Sequence, residues 1–263
     1  ILGEEQTTGF ILFDIFEFGT LPQRFSFNRK ETITNYISNV YDSIVLKDVV
    51  ERLGIKDITL FNLILQYLLE IEGREFSATN ILNYFKSEHR KVSSDTLYFY
   101  LEALCSTFIL NKVYRYDIKG KAVLKTLNKY YVSDLGVKTL KINSKEINYS
   151  IAMENLVYNE LISKGYNVYI GKTTKGEVDF VAQKEGKIKY IQVSYYLAAE
   201  NTIEREFGAF DSIRDSYDKY VISLDKGDFS KNGIKHINIF DFLLDGNFWF
   251  EICNKKNISR LTK

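Results

Sequence analysis

The sequence predicts a mixed α/β protein (α+β overall), with a helical first half and a second half built on a small mixed sheet. Two patterns indicate this. Apolar residues recur at helical steps of three and four up to Thr107, and alternating, strand-like segments first appear at Phe108. A chain of 263 residues is expected to form one large or two modest domains. Its 45% hydrophobic and 26% charged residues exclude a disordered chain.

Composition also narrows the class of protein. No stretch approaches the roughly 18 apolar residues that a membrane-spanning helix requires, and the N-terminus lacks the basic and apolar regions of a signal sequence. Two cysteines are too few for a disulfide framework. We therefore expect a cytoplasmic protein without membrane contacts. The oligomeric state cannot be inferred from these features.

Helix signals dominate the first half. An apolar stripe predicts a helix from Thr32, and capping residues mark the helices that follow. The caps and spans of these helices are Asp57 with a helix to Leu69, Ser77 with Ala78–Phe85, and Ser93 with a helix to Thr107.

A basic hairpin is predicted next, from Phe108–Ile118 and Ala122–Val132. Three helices followed by a hairpin are typical of a winged helix-turn-helix domain, whose third helix enters a DNA groove. The segment 111–145 contains nine Lys and Arg against two acidic residues, or +7 in a chain of +1. This charge predicts phosphate contacts. A solvated sheet edge or a protein-binding surface remains the alternative. The candidate phosphate-binding residues are Arg115, Lys119, Lys121 and Lys125.

The second half predicts a small α/β core. Its expected elements are a helix over Ile151–Ser163, strands over Tyr166–Ile170, Glu177–Gln183 and Lys187–Tyr195, a helix over Thr202–Tyr217, a strand over Tyr220–Leu224, and a strand over Ile237–Leu244 that leads into a short helix. The segment Gly165–Thr173 resembles a phosphate-binding P-loop, but it has five residues between its glycines and follows a helix. ATP is therefore not expected to bind this chain.

Acidic side chains on one of these strands form part of a candidate site. Alternate residues of a strand share a face, so Glu177 and Asp179 are expected on one face, with Val178 and Phe180 on the other. Two strand acids that simply face solvent are the alternative.

Gln192 and Ser194 are expected to share a face of the next strand. A hairpin would bring Asp179 beside Gln192, and Glu154 on the preceding helix would lean over the same strands. Such a cluster offers the hard oxygen ligands that Mg²⁺ prefers. A buried glutamine that only makes hydrogen bonds is the alternative.

This order of residues resembles the PD-(D/E)XK nuclease superfamily, which has a helix glutamate, a strand aspartate and then an acid-x-lysine strand. The resemblance implies that Glu154, Asp179 and Gln192 hold Mg²⁺. Ser194 then stands at the position of the catalytic lysine, and its hydroxyl cannot replace an ammonium that orients water and offsets negative charge. The resemblance therefore implies a degenerate site, and cleavage is disfavoured.

A wider series of motifs looks like the C-terminal region of the prokaryotic AAA-type ATPases. The motifs are Gly19-Thr-Leu-Pro22, Asp134-Leu-Gly136, Met153-Glu-Asn155, Glu177-Val-Asp179-Phe and Ile191-Gln-Val-Ser194-Tyr. The resemblance implies a winged helix and a nuclease-like fold that accompany a P-loop ATPase domain. We accordingly expect 1–30 to be a remnant or linker of a missing ATPase domain, 31–135 the helical and winged-helix domain, and 136–263 the nuclease-like domain.

Three functions follow as hypotheses. The first is a module that binds DNA or RNA for an ATPase domain, which the basic hairpin favours. The second is a Mg²⁺-dependent nuclease, which the three oxygen-bearing side chains favour and Ser194 opposes. The third is a protein-binding regulatory module, which the near-neutral net charge of +1 leaves open.

Overall fold

The computed structural model describes residues 4–142, 147–197 and 199–244. The predicted cation Lys145 and the segment 245–263 of the predicted second domain lie outside these ranges. The α-helices of the described residues are, in chain order, α1 (Glu4–Phe18), α2 (Lys30–Ile44), α3 (Ile58–Glu70), α4 (Ala78–Ser87), α5 (Ser94–Ser106), α6 (Leu135–Lys141), α7 (Tyr149–Ser163), α8 (Glu200–Gly208) and α9 (Ile239–Leu244). A 3-10 turn over Pro22–Ser26 follows α1, and α2 continues into π-helical Val45–Arg52.

Seven strands form one mixed sheet in the order β2-β1-β3-β4-β5-β6-β7. The strands are β1 (Leu110–Asp117), β2 (Ala122–Val132), β3 (Asn167–Lys172), β4 (Glu177–Lys184), β5 (Lys187–Val193), β6 (Asp218–Ser223) and β7 (Ile234–Asn238). The pairs β1–β2, β3–β4 and β4–β5 are antiparallel, whereas β1–β3, β5–β6 and β6–β7 are parallel. The predicted mixed α/β class is thereby confirmed.

Most predicted elements are present because their local signals are strong. The side chains of Asp57, Ser77 and Ser93 each accept a hydrogen bond from a backbone N–H in the first turn of the helix they precede. The predicted helix over Thr202–Tyr217 is too long, because α8 ends at Gly208. Phe210 and Ile213 beyond it turn back into the core.

The β1–β2 hairpin is part of the central sheet. β1 pairs in parallel with β3, and Arg115 lies opposite Ile170 in that pairing. The hairpin was expected to project as a wing, and this pairing instead joins it to the strands of the second half. The sheet therefore runs across the domain boundary predicted between residues 135 and 136.

Two apolar cores cover the two faces of the sheet. On one face, Val157 and Leu161 of α7 pack in the main core with Phe180 and Ile191. On the other face, Phe207 of α8 packs with other residues of β4, β5 and β6. The main core extends into the helical half, where it includes Leu12 and Phe16 of α1, so the segment expected to be a linker contributes to the core.

A carboxylate joins the end of α1 to the start of α6. The Oδ2 atom of Asp134 accepts a hydrogen bond from the Thr20 N–H at 2.6 Å, and its Oδ1 atom accepts one from the Gly136 N–H at 2.9 Å. Gly19 has φ +69°, and a Cβ there would lie 1.9 Å from the Asp134 carboxylate. A Cβ at Gly136 would lie 2.5 Å from the carbonyl oxygen of Phe18. Both positions therefore require glycine, because a Cβ at either one would lie too close to neighbouring atoms.

We predict that Gly136→Ala lowers the free energy of unfolding by about 1–3 kcal/mol, the usual cost of overpacking. The reason is steric, because the new methyl group would meet backbone rather than a movable side chain. Chemical denaturation measures the change. Gly176→Ala is the matched control, since a Cβ at Gly176 meets nothing within 4 Å. Equal stability of the two variants would contradict the prediction.

Candidate functional site

A β-bulge in β4 directs the acidic side chains of the candidate site. Tyr169 of β3 pairs with Val181, but Gly171 pairs with Val178, so β4 holds one extra residue between these pairs. As a result Val178 and Phe180 pack in different cores, on opposite faces of the sheet. The expectation that they share a face is wrong, because the bulge interrupts the alternation.

The predicted pairing of Asp179 with Gln192 is present. Gln192 Oε1 accepts a hydrogen bond from the Asp179 backbone N–H at 3.2 Å, and Asp179 Oδ2 accepts one from the Val193 N–H at 2.8 Å. The other end of the Gln192 amide, Nε2, donates to Glu206 Oε2 at 2.8 Å. The oxygen that was expected to face a metal ion is therefore engaged by the backbone of the neighbouring strand.

Four carboxylates line one cleft of about 490 Å³, which we call the acid cleft. They are Glu154 of α7, Glu177 and Asp179 of β4, and Glu206 of α8. The structure thus brings together Glu154, Asp179 and Gln192 as the sequence predicted. Glu206 was not predicted, because the motif that indicated the other site residues ends at Ser194 and does not extend into α8.

Ser194 does not contribute to the lining of the acid cleft among the described residues. It follows the last residue of β5, and its buried hydroxyl donates to the carbonyl oxygen of Tyr196 at 3.1 Å. The position expected to hold a catalytic lysine therefore faces neither the carboxylates nor the space between them.

A lysine from β2 lies beside the acid cleft. Lys129 is 6% exposed, and its Nζ is 3.1 Å from Glu177 Oε2. Burial alone would lower the pKa of Lys129, but the charges of Glu154, Glu177 and Asp179 outweigh burial and raise that pKa. Arg115 approaches the other oxygen of Glu177 at 3.4 Å. The sequence places Lys129 in the basic segment but does not indicate a role for it in the candidate site, because its neighbours depend on the β1–β3 pairing.

The carboxyl groups of Asp179 and Glu154 have raised pKa values. Burial raises the pKa of Asp179 well above its ordinary value, and the nearby charge of Glu154 raises it further. Burial likewise raises the pKa of Glu154, whose Oε1 accepts a hydrogen bond from the Tyr131 hydroxyl. These carboxylates are half-buried, and both are stabilised by the same charge, that of Lys129.

The donor set of the acid cleft does not fit a divalent cation. Mg²⁺ demands near-ideal octahedral geometry and is held by one or two free carboxylates together with waters. Both oxygens of Glu177 face cations, and the Gln192 oxygen and one Asp179 oxygen accept backbone hydrogen bonds. In the described part of the chain, no group of three or more His, Cys, Asp or Glu residues is arranged to hold a metal ion.

A second cleft, of about 560 Å³, adjoins the acid cleft, and Thr173 and Lys175 line both. We call it the cationic cleft, because Lys119, Lys121, Lys175 and Arg214 line it. All four side chains are exposed. Lys175 and Arg214 were not predicted as site residues, because they lie on loops that only the folded sheet brings beside the hairpin.

The other two predicted phosphate-binding residues lie outside the cationic cleft. Lys125 is exposed on β2. Arg115 is only 11% exposed and forms ion pairs with Glu75 and Glu177, so it is not available to an external phosphate.

The third helix of the predicted winged helix carries no Lys or Arg. Its outward residues include Tyr98 and Phe99, which are 54% and 44% exposed, and the acids Asp95 and Glu102. Phosphate binding depends on cations, so α5 is poorly suited to enter a DNA groove.

No helix of the described residues is long and apolar enough to cross a membrane.

The fold and the two clefts define the class: an α/β protein whose seven-stranded mixed sheet carries a charge-compensated acid cleft beside an open cationic cleft. The chain belongs to a family described as a domain of unknown function, DUF8612, whose model matches residues 10–146. Residues 150–242 match a second domain of unknown function, DUF4143.

Two curated relatives are similar to this chain. An uncharacterized protein of Haemophilus influenzae is 36% identical over 216 residues, which are 82% of this chain and 52% of the relative. An uncharacterized protein of Methanocaldococcus jannaschii is 30% identical over 187 residues, which are 70% of this chain and 40% of the relative. The chain thus spans about half the length of the curated relatives it matches. No solved structure matches it.

We predict that Asp179→Asn raises the Tm, and that the difference from the wild type grows with pH. The folded-state pKa of Asp179 lies above its unfolded value, so the folded protein binds this proton more tightly. The contribution of Asp179 to stability is therefore greatest at low pH and decreases as the pH rises above the unfolded pKa.

Thermal unfolding at about pH 5 and about pH 8 measures this effect, since both values lie above the ordinary pKa of aspartate. Glu88→Gln, at an exposed position of the helical half that lines neither cleft, is the control and should change the Tm little at either pH. A Tm of Asp179→Asn below that of the wild type at the higher pH would contradict the prediction.

Proposed function

We propose that this chain binds nucleic acid through the phosphate backbone, that it does so at the cationic cleft, and that it does not cleave the strand. The observation that carries the proposal is the convergence of four exposed cations from three separate segments on one cleft. They come from the β1–β2 turn, the β3–β4 loop and the segment after α8. If the hairpin were only a solvated edge, its lysines would not be expected to lie beside cations from two other segments of the chain.

The charge balance of the cationic cleft favours an anionic ligand. Its four cations outnumber the two lining acids, Asp211 and Asp215. Asp215 is already engaged, because its carboxylate accepts hydrogen bonds from the Tyr190 hydroxyl and the Tyr217 N–H. None of the four cations forms an ion pair with an acid in the part of the chain that the structure describes. Phosphates can therefore approach without first displacing a protein partner.

The acid cleft supports binding without cleavage. Its arrangement of Glu154, Asp179 and Gln192 follows the PD-(D/E)XK order, which favours a nuclease-like origin for this half of the chain. However, the Gln192 oxygen is engaged and Ser194 is turned away from the carboxylates. With the Gln192 oxygen engaged and no ammonium at the motif position, the site lacks two of the groups that would help to hold a metal ion and activate water.

The match to DUF4143 and the greater length of the curated relatives favour a partner ATPase domain. DUF4143 is a domain typically found C-terminal to AAA ATPases, and the curated relatives are about twice as long as the part this chain matches. We infer that the chain is the nucleic-acid-contacting module of such an ATPase. This chain itself contains no Walker motif, so ATP binding belongs to the partner domain in this proposal.

We predict that Lys121→Glu combined with Arg214→Glu weakens binding of a fluorescently labelled DNA duplex at least about tenfold at low salt. The loss of two phosphate contacts should also reduce the slope of log affinity against log salt by about 1.8. Fluorescence anisotropy over a salt series measures both quantities. Lys47→Glu combined with Lys56→Glu is the matched control, because it changes the net charge equally at exposed positions of the helical half.

An equal loss of affinity in both double variants would reject the cationic cleft as the binding surface. Wild-type binding that does not depend on salt, or no binding at all, would favour the protein-binding alternative. The exposed Tyr98 and Phe99 are then the first residues to substitute. Cleavage that requires Mg²⁺ and is abolished by Asp179→Asn would instead establish the nuclease alternative.

A further inference from the structure

We propose that the ammonium group of Lys129 is the permanent cation of the acid cleft, in place of a divalent metal ion. The acid cleft is then a closed ionic network within the protein rather than a metal site. This inference concerns a different cleft from the one proposed to bind nucleic acid, and it does not depend on that function.

Lys129 has a fixed and buried position beside the acid cleft. It lies on β2, opposite Val113 of β1, between the buried residues Asn128 and Tyr130. The backbone on both sides of Lys129 is therefore held in the sheet and the core. Its Nζ reaches Glu177 at 3.1 Å, and the side chain is 8% exposed. A long side chain buried to this extent and directed at carboxylates is not a solvated surface lysine.

Each carboxylate of the acid cleft also has a hydrogen-bond donor or a cation from the chain itself. Lys129 pairs with Glu177 Oε2, and Arg115 lies 3.4 Å from Glu177 Oε1 without a hydrogen bond to it. The Tyr131 hydroxyl donates to Glu154. The Val193 N–H donates to Asp179, while Arg205 and the Gln192 amide hold Glu206. Buried carboxylates require such compensation, and the network supplies it without a metal ion.

The positive charge of Lys129 also disfavours a metal ion at the same carboxylates. The charges that raise the pKa of Lys129 include those of Glu154 and Asp179, the two acids that a metal ion would need. A divalent cation placed between these acids would be close to a buried ammonium of the same sign. Because both ions would draw on the same carboxylates, Lys129 and a metal ion exclude each other.

We therefore expect removal of this ammonium to create a metal site. Mn²⁺ is the probe, and its binding is measured by calorimetry and by the shift in Tm that a bound ligand produces. The wild type should show neither heat nor a Tm shift. Lys129→Met should bind Mn²⁺ with an affinity at least about tenfold higher than the weakest affinity that the titration can detect. Lys129→Arg keeps the charge and should behave as the wild type. Lys129→Met combined with Asp179→Asn should lose the gained binding.

Two results would overturn the proposal. The first is Mn²⁺ binding by the wild type that Asp179→Asn abolishes, since the ammonium and the metal ion would then coexist. The second is a folded Lys129→Met that binds no Mn²⁺. If Lys129→Met does not fold, Lys129→Met combined with Glu177→Gln removes a carboxylate together with the ammonium and carries the same expectation. The wild-type titration tests the proposal whether or not either variant folds.

Discussion

The parallel pairing of β1 with β3 is the constraint on which both clefts depend. It attaches the basic hairpin to the sheet of the second half, with Arg115 opposite Ile170. The pairing places the buried cations Arg115 and Lys129 beside the acids at the start of β4. It also places the exposed lysines of the hairpin turn beside the β3–β4 loop. A hairpin that projected freely would supply neither the internal cations nor the rim of the cationic cleft.

Buried charge explains why the two clefts differ although they adjoin. An ionised carboxylate without a partner is very costly in the interior, so the acids of the acid cleft must be paired, hydrogen-bonded or protonated. Glu177 is paired with two cations, whereas Asp179 keeps a raised pKa. The lysines of the cationic cleft are exposed and solvated, and need no internal partner. One cleft is therefore compensated by the fold, and the other is free to attract anions.

Local signals in the sequence predicted most elements but not their arrangement. Caps such as Asp57 and Ser93 act within one turn of a helix, so they can be read from a few residues. The pairing of Asp179 with Gln192 was predictable because a short turn joins β4 to β5. The bulge at Asp179 and Phe180, the approach of Lys129 and the position of Arg214 depend on pairings between segments distant in sequence. No periodicity within one segment contains that information.

The serine at position 194 can be understood from the same network. In a metal-dependent nuclease site, a lysine at this position would offset the negative charge that the metal ion does not compensate during the reaction. In this chain the strand ends at Val193, and Ser194 is held by the backbone, with its N–H donating to the Ile222 carbonyl and its hydroxyl to the Tyr196 carbonyl. With Lys129 proposed as the cation of the cleft, an ammonium from β5 would add a surplus positive charge to carboxylates that are already paired. A serine at position 194 and an internal cation from β2 therefore fit the same electrostatic arrangement.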